Sequence, residues 1–164
     1  MRFLLLIITI LILLLEGCYS FTGASVPPHL KTIAIPLFDD QSGSGKAGLR
    51  ENLTNKLIEK FRQDNNLQIS DKSTADAILE GNIISVNDQP QVLAAGETVT
   101  KSRITITVKV AFQDKKLKKK IWEKQFSQWA DYALGGGSSE FEASITLVNE
   151  KLAEDILLEA VSGW

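Results

Sequence analysis

The stretch Arg103–Phe112, RITITVKVAF, sets Ile104, Ile106, Val108, Val110 and Phe112 at every second position, with Arg103, Thr105, Thr107 and Lys109 between them. Side chains alternate across a strand, so this pattern is a strand with one apolar and one wetted face. The apolar face obliges the chain to supply a covering layer. The polar turn DKKLKKK follows, and then Ile121 to Tyr132, in which Trp122 and Phe126 share a face. The two runs are predicted to form a hairpin.

The covering layer is also legible. Leu49, Leu53, Leu57 and Phe61 recur at intervals of four, with Ile58 beside them, which predicts an amphipathic helix over about residues 46–63. Phe141, Ile145, Val148, Leu152 and Ile156 predict a second helix running nearly to Trp164. Ser139 and Glu142 have the spacing of a capping box at its start. Lys31–Phe38 alternates around Ile33, Ile35 and Leu37, and Pro36 restricts that strand to an edge or its end. Leu67–Ser70 and the run Ala75 to Val86 are two further predicted strands, and VNDQPQVLAAGETVTKS is expected to be a long mobile loop between the central strands. With 164 residues, 44% of them apolar, the chain can build one core. The expected fold is α+β: two helices packed on one face of a mostly antiparallel sheet of four to five strands. No internal repeat is present.

The first residues have a separate purpose. Phe3 to Leu15 is apolar except for Thr9, a run too short for the roughly 20 residues of a membrane-spanning helix. Arg2 before it and Gly17 after it give the layout of an export signal. Cys18 is the only cysteine, so an intramolecular disulfide is excluded. Leu15-Glu16-Gly17-Cys18 resembles a bacterial lipobox, in which the thiol is acylated and cleavage leaves the cysteine first. Glu16 departs from the usual Ala, Ser or Thr, which bears on the efficiency of processing. The alternatives are an ordinary secretory signal with an incidental cysteine and an uncleaved anchor. Acyl chains on Cys18 would satisfy the two-chain requirement for stable attachment. By lipoprotein sorting rules, Tyr19 in place of Asp disfavours retention in the inner membrane. The expected division is a signal peptide over 1–17, a lipidated tether over 18–30 and an α+β domain over 31–164.

Charge and side-chain inventory narrow the function. Removing residues 1–17 takes one basic and one acidic residue, Arg2 and Glu16, so the net charge stays at −2. That balance is no footprint of a nucleic-acid binder. With one histidine, His29, and one cysteine, neither a His/Cys metal cluster nor a Ser-His-Asp or Cys-His arrangement is available. GGGSSE lacks the phosphate-loop pattern and reads as a turn before the helix. Asp39-Asp40 reads as a solvated turn, and His29, after Pro27-Pro28, as exposed. No catalysis and no cofactor are expected, apart from the acyl chains on Cys18. Lys115, Lys116, Lys118, Lys119 and Lys120 crowd the hairpin turn, where they would attract phosphates of anionic lipid or lipopolysaccharide. The same run also suits a solubilising turn that discourages edge pairing. Arg103 and Lys109 would add phosphate donors on the wetted strand face.

GCYSFTGASVPPHLKTIAIPLFDD, LTNKLIEKFRQDNNLQISDKSTADAILEGNI, SRITITVKVAF, WEKQFSQWADY and LAEDILLEAVSGW, in that order and spacing, resemble the LptE-type lipopolysaccharide-assembly lipoproteins of a Bacteroidota/Chlorobi-like branch. The resemblance runs from Gly17 to Trp164. It implies a lipid-anchored protein on the periplasmic side of the outer membrane that plugs the LptD β-barrel, helps it assemble and assists lipopolysaccharide delivery, with Cys18 as the attachment point. A TolB-like or curli-secretion-like envelope scaffold would share the KTIAIPLF and ADAILEGNI strands and differ in its partner. A small hydrolase using Asp39 and Asp40 would need a cleft.

Overall fold

A computed structural model describes residues 26–91 and 100–162. The export signal, Cys18 and residues 92–99 lie outside the described residues. In chain order the elements are β1 (Thr32–Ala34), β2 (Asp39–Asp40), α1 (Leu49–Asp64), β3 (Gln68–Ile69), β4 (Ala77–Gln91), β5 (Lys101–Asp114), β6 (Lys119–Ala133), a 3-10 turn (Leu134–Gly136) and α2 (Gly137–Ser162).

The sheet has six strands in the order β3-β1-β4-β5-β6, with β2 also beside β4. Both α1 and α2 bury their apolar stripes in one core with the inward side chains of this sheet. The α+β architecture therefore stands, whereas the strand count and the pairing are corrected. β4–β5 and β5–β6 are antiparallel, but β1–β3, β1–β4 and β2–β4 are parallel, so the sheet is mixed. A strand joined to the next through a helix comes back in the same direction, and β1-α1-β3 is such a crossover.

Pro36 divides the predicted first strand. β1 ends at Ala34, and the chain rejoins the sheet two residues past Leu37 as β2, pairing Asp39 with Asn82 and Asp40 with Ile83. Phe38 fills the gap between the two pieces, with its N–H donating to Thr54 Oγ1 at 3.1 Å. α1 starts at Leu49, three residues after the expected position, because Gly48 before it sits at φ +77°. It stops at Asn65, which takes φ +58° and donates its N–H to Phe61 O. Asparagine tolerates that left-handed conformation and closes the helix.

The expected loop between the central strands, 86–102, is sheet at both ends, and its middle, 92–99, lies outside the described residues. β4 continues to Gln91 and β5 begins at Lys101, with Gln89 opposite Arg103 and Gln91 opposite Lys101. The polar composition that suggested a loop belongs instead to strand residues whose wetted face needs no apolar side chain. A bulge between Ile83 and Ser85 lets both halves of β4 keep apolar groups inward: Leu79 and Ile83 before it, Val86 after it. α2 begins at Gly137, so Ser139 and Glu142 lie inside it and form no capping box. Ser139 Oγ donates to Gly136 O instead. No described helix is long and apolar enough to cross a membrane.

Candidate functional site

With both helices on one side, no described element covers the opposite side of β4, β5 and β6. Its rows follow from the register: Asn87-Thr105-Trp129, Ser85-Thr107-Ser127 and Asn82-Lys109-Gln125, with Arg103-Asp131 above and Glu80-Ala111-Glu123 below. The middle is neutral and hydrogen-bonding, and Thr107 and Ser127 share a bond of 3.0 Å across the strands.

The charges at each end already have partners. Arg103 makes a two-pronged contact with Asp131, Nε to Oδ1 at 2.6 Å and Nη2 to Oδ2 at 3.0 Å, and its guanidinium lies 3.6 Å from the centre of the Trp129 ring. That hydrogen bond holds the Asp131 carboxyl below its usual range. Lys109 and Lys120 both pair with Glu123. Hydrogen bonds from these two ammonium groups bring Glu123 down to about 2. Pro36, Leu37, Asp39, Lys109 and Glu123 edge a groove of about 430 Å³ beside this end. Asp39 reaches that groove, but Asp40 is taken up by its own turn, accepting from Ser42 N–H at 2.9 Å and Ser42 Oγ at 2.6 Å. The two carboxylates do not converge as an acid–base pair.

The lysine run is only partly free. Lys115 Nζ donates to the carbonyls of Lys72 and Ser73. Lys116 Nζ lies 2.7 Å from His29 O and 2.9 Å from Asp76 Oδ1. Lys120 is held by Glu123. Lys118 and Lys119 make no ion pair among the described residues. Leu117 stands out at 65% exposure between Lys116 and Lys118, with the backbone at Lys118 turned to φ +51°.

His29 is exposed, as expected, and is also held. Its Nε2 stands 2.5 Å from Asp114 Oδ2, on a carboxylate that is itself buried. Burial opposes the charge on Asp114, but the His29 ring and the Leu117 N–H outweigh it and keep the carboxyl below its usual range. Asp76 completes a clasp: Lys116 and the N–H groups of Lys31 and Thr32 bring it to about 2. The chain entering the domain is thus fastened to the hairpin turn.

Sequence reading placed Arg103 and Lys109 on one wetted face, where the structure also has them, but missed their partners Asp131 and Glu123. The signal was present. Folding β6 back on β5 at the lysine turn, with one bulged residue, brings 131 opposite 103 and 123 opposite 111. A second polar cluster also went unread: Ser102 Oγ and Tyr132 Oη each donate at 2.6 Å to Asp88. Burial, then the Asp88 hydrogen bond, raises the Tyr132 hydroxyl.

The fold and the bare face can be set beside known proteins. A family model described as "LptE: Lipopolysaccharide-assembly" matches residues 30–160. The chain belongs to the LptE family. Its role accordingly lies in lipopolysaccharide assembly. No curated protein matches the chain. Among solved structures, the hypothetical protein CT253 from Chlamydia trachomatis is similar at TM-score 0.59 and 12% identity, covering 79% of this chain and 95% of its own. Rare lipoprotein B from Shewanella oneidensis gives TM-score 0.53 and 19% identity over 77% of this chain and 92% of its own. The PelC dodecamer from Paraburkholderia phytofirmans gives 0.55 and 10% over 86% and 95%. These likenesses show a shared fold. LptE membership rests on the family match.

Proposed function

We propose that this LptE-family chain is a lipoprotein of the outer membrane, on the periplasmic side, that plugs the LptD-type β-barrel, helps it assemble and assists passage of lipopolysaccharide to the surface without catalysis. The supporting observation is the uncovered sheet face, whose central rows are mostly serine, threonine, asparagine and glutamine, with Trp129 and Lys109 among them, and whose cations Arg103 and Lys109 are paired within the face. A large outer-membrane barrel has a polar interior. A sheet face of neutral hydrogen-bonding groups suits such a wall, because it buries no unpaired charge there.

In this reading residues 1–17 are the signal peptide, Cys18 carries the acyl chains, and the tether is shorter than the expected 18–30, because Val26 and Leu30 already pack in the core and belong with the plug. Arg103 and Lys109 contact lipopolysaccharide phosphates by exchanging their carboxylate partners. Lys115, Lys116, Lys118, Lys119 and Lys120 present a cationic tip to anionic lipid. Depletion of the protein tests the reading as a whole: lipopolysaccharide should fail to reach the surface and properly assembled barrel should fall. Normal levels of both would contradict it.

A further inference from the structure

The tip of the β5–β6 hairpin is the one place where an exposed aliphatic side chain is followed directly by two cations that make no ion pair among the described residues. Leu117 is 65% exposed, and Lys118 and Lys119 follow it without ion pairs. Mere solubility would not require Leu117, nor the clasp beside it. That clasp joins the tip to the chain leading in from Cys18: His29 to Asp114 at 2.5 Å, Lys116 to the His29 carbonyl at 2.7 Å, and Lys116 to Asp76 at 2.9 Å. The core takes hold of the chain from Val26 onward. Only eight peptide steps separate Val26 from Cys18. Fully extended, they reach at most about 28 Å.

We propose that this tip is a second membrane contact: Leu117 enters the head-group region of an anionic phospholipid surface while Lys118 and Lys119 sit on its phosphates. The inference rests on acylation of Cys18, proposed above. Two lysines and one leucine make a weak contact on their own. A tether this short turns the contact into an intramolecular event at high effective concentration, so a weak contact is occupied. Because the clasp fixes the tip to the point where the tether enters, membrane contact would also set the tilt of the whole sheet relative to the bilayer. A flexible junction would leave that tilt free.

The test uses the full acylated chain with Leu117→Cys, in which acylation has consumed the Cys18 thiol, so that a nitroxide label marks position 117 alone. In phosphatidylethanolamine–phosphatidylglycerol vesicles the label should be more accessible to oxygen than to a water-soluble nickel chelate. The preference should reverse in phosphatidylcholine vesicles, and also when Lys118→Gln and Lys119→Gln are added. A label that stays in water in every vesicle, or one shielded from both reagents by protein, overturns the docking. Mass spectrometry of the same sample reads acylation separately. An acylated protein with a water-exposed label defeats the docking alone, whereas an unacylated Cys18 defeats both the docking and the anchoring on which it rests.

Discussion

Gly81 lies directly beneath the ring of Phe38: a β-carbon on Gly81 would stand 2.2 Å from Phe38 Cε2. Gly81 is on β4 opposite Val110, and Phe38 closes the gap left where Pro36 interrupts the first strand. The contact therefore couples the broken edge of the sheet to its long central strand. Gly81→Ala should cost about 2 kcal/mol or more through overpacking, read as a lower urea midpoint with unchanged slope. In a double-mutant cycle with Phe38→Leu, the two losses should be less than additive, because the smaller side chain admits the methyl group. Strict additivity would mean that the two residues do not meet.

The clasp gives the domain a specific acid sensitivity. Asp76 ionises at about 2 in the folded protein, against an ordinary value of 3.8. A depressed folded value means that its stabilising effect is complete above about pH 4 and is lost as the pH falls through about 2. Asp114, also lowered, acts in the same direction. Asp76→Asn should destabilise the protein at pH 7 and flatten the fall in stability between pH 4 and 2. Denaturant titrations at several pH values would show it, and an unchanged slope would exclude Asp76 as its source.

Asn149 is fully buried on α2, and neither atom of its amide has a hydrogen-bond partner among the described residues. Burying such a group costs stability that an apolar side chain of similar size would not. Asn149→Leu should therefore raise stability by about 1 kcal/mol in thermal or urea melts. A loss would mean that the amide is satisfied in solution.

In the proposed function, Asp131 would compete with lipopolysaccharide phosphate for Arg103, which it now holds. Asp131→Asn should cost less than about 1 kcal/mol of stability, since the pair is partly exposed. It should nevertheless tighten lipopolysaccharide binding by releasing the guanidinium, and Arg103→Gln in the same background should remove the gain. Binding measured by titration at fixed salt decides it. No change in either variant would remove Arg103 from the contact surface.

How much could be read beforehand divides along range of interaction. The hairpin, both helices and the stripe Leu49, Leu53, Leu57, Phe61 were legible because periodicity is local and each element has one face to bury. The parallel pairings of β1 with β3 and β4 were not, since a three-residue and a two-residue strand carry no period. Val86–Gln91 was misread because residues on a wetted sheet face look like a loop in composition. Arg103 and Lys109 were found as cations on the wetted face, but their pairing with Asp131 and Glu123 depends on register. His29 is exposed as read, but its partner Asp114 was not legible, because it lies 85 positions away. Fold alone would not have chosen the family either, because the PelC dodecamer shares it at TM-score 0.55 with 10% identity.

The most direct measurement is affinity isolation of the full-length chain from detergent-solubilised envelopes, with mass spectrometry of the co-isolated protein and of Cys18. The expected result is a stoichiometric LptD-type barrel together with acyl mass on Cys18. A chain isolated without a barrel, or with an unmodified thiol, would contradict the account of a lipid-anchored plug.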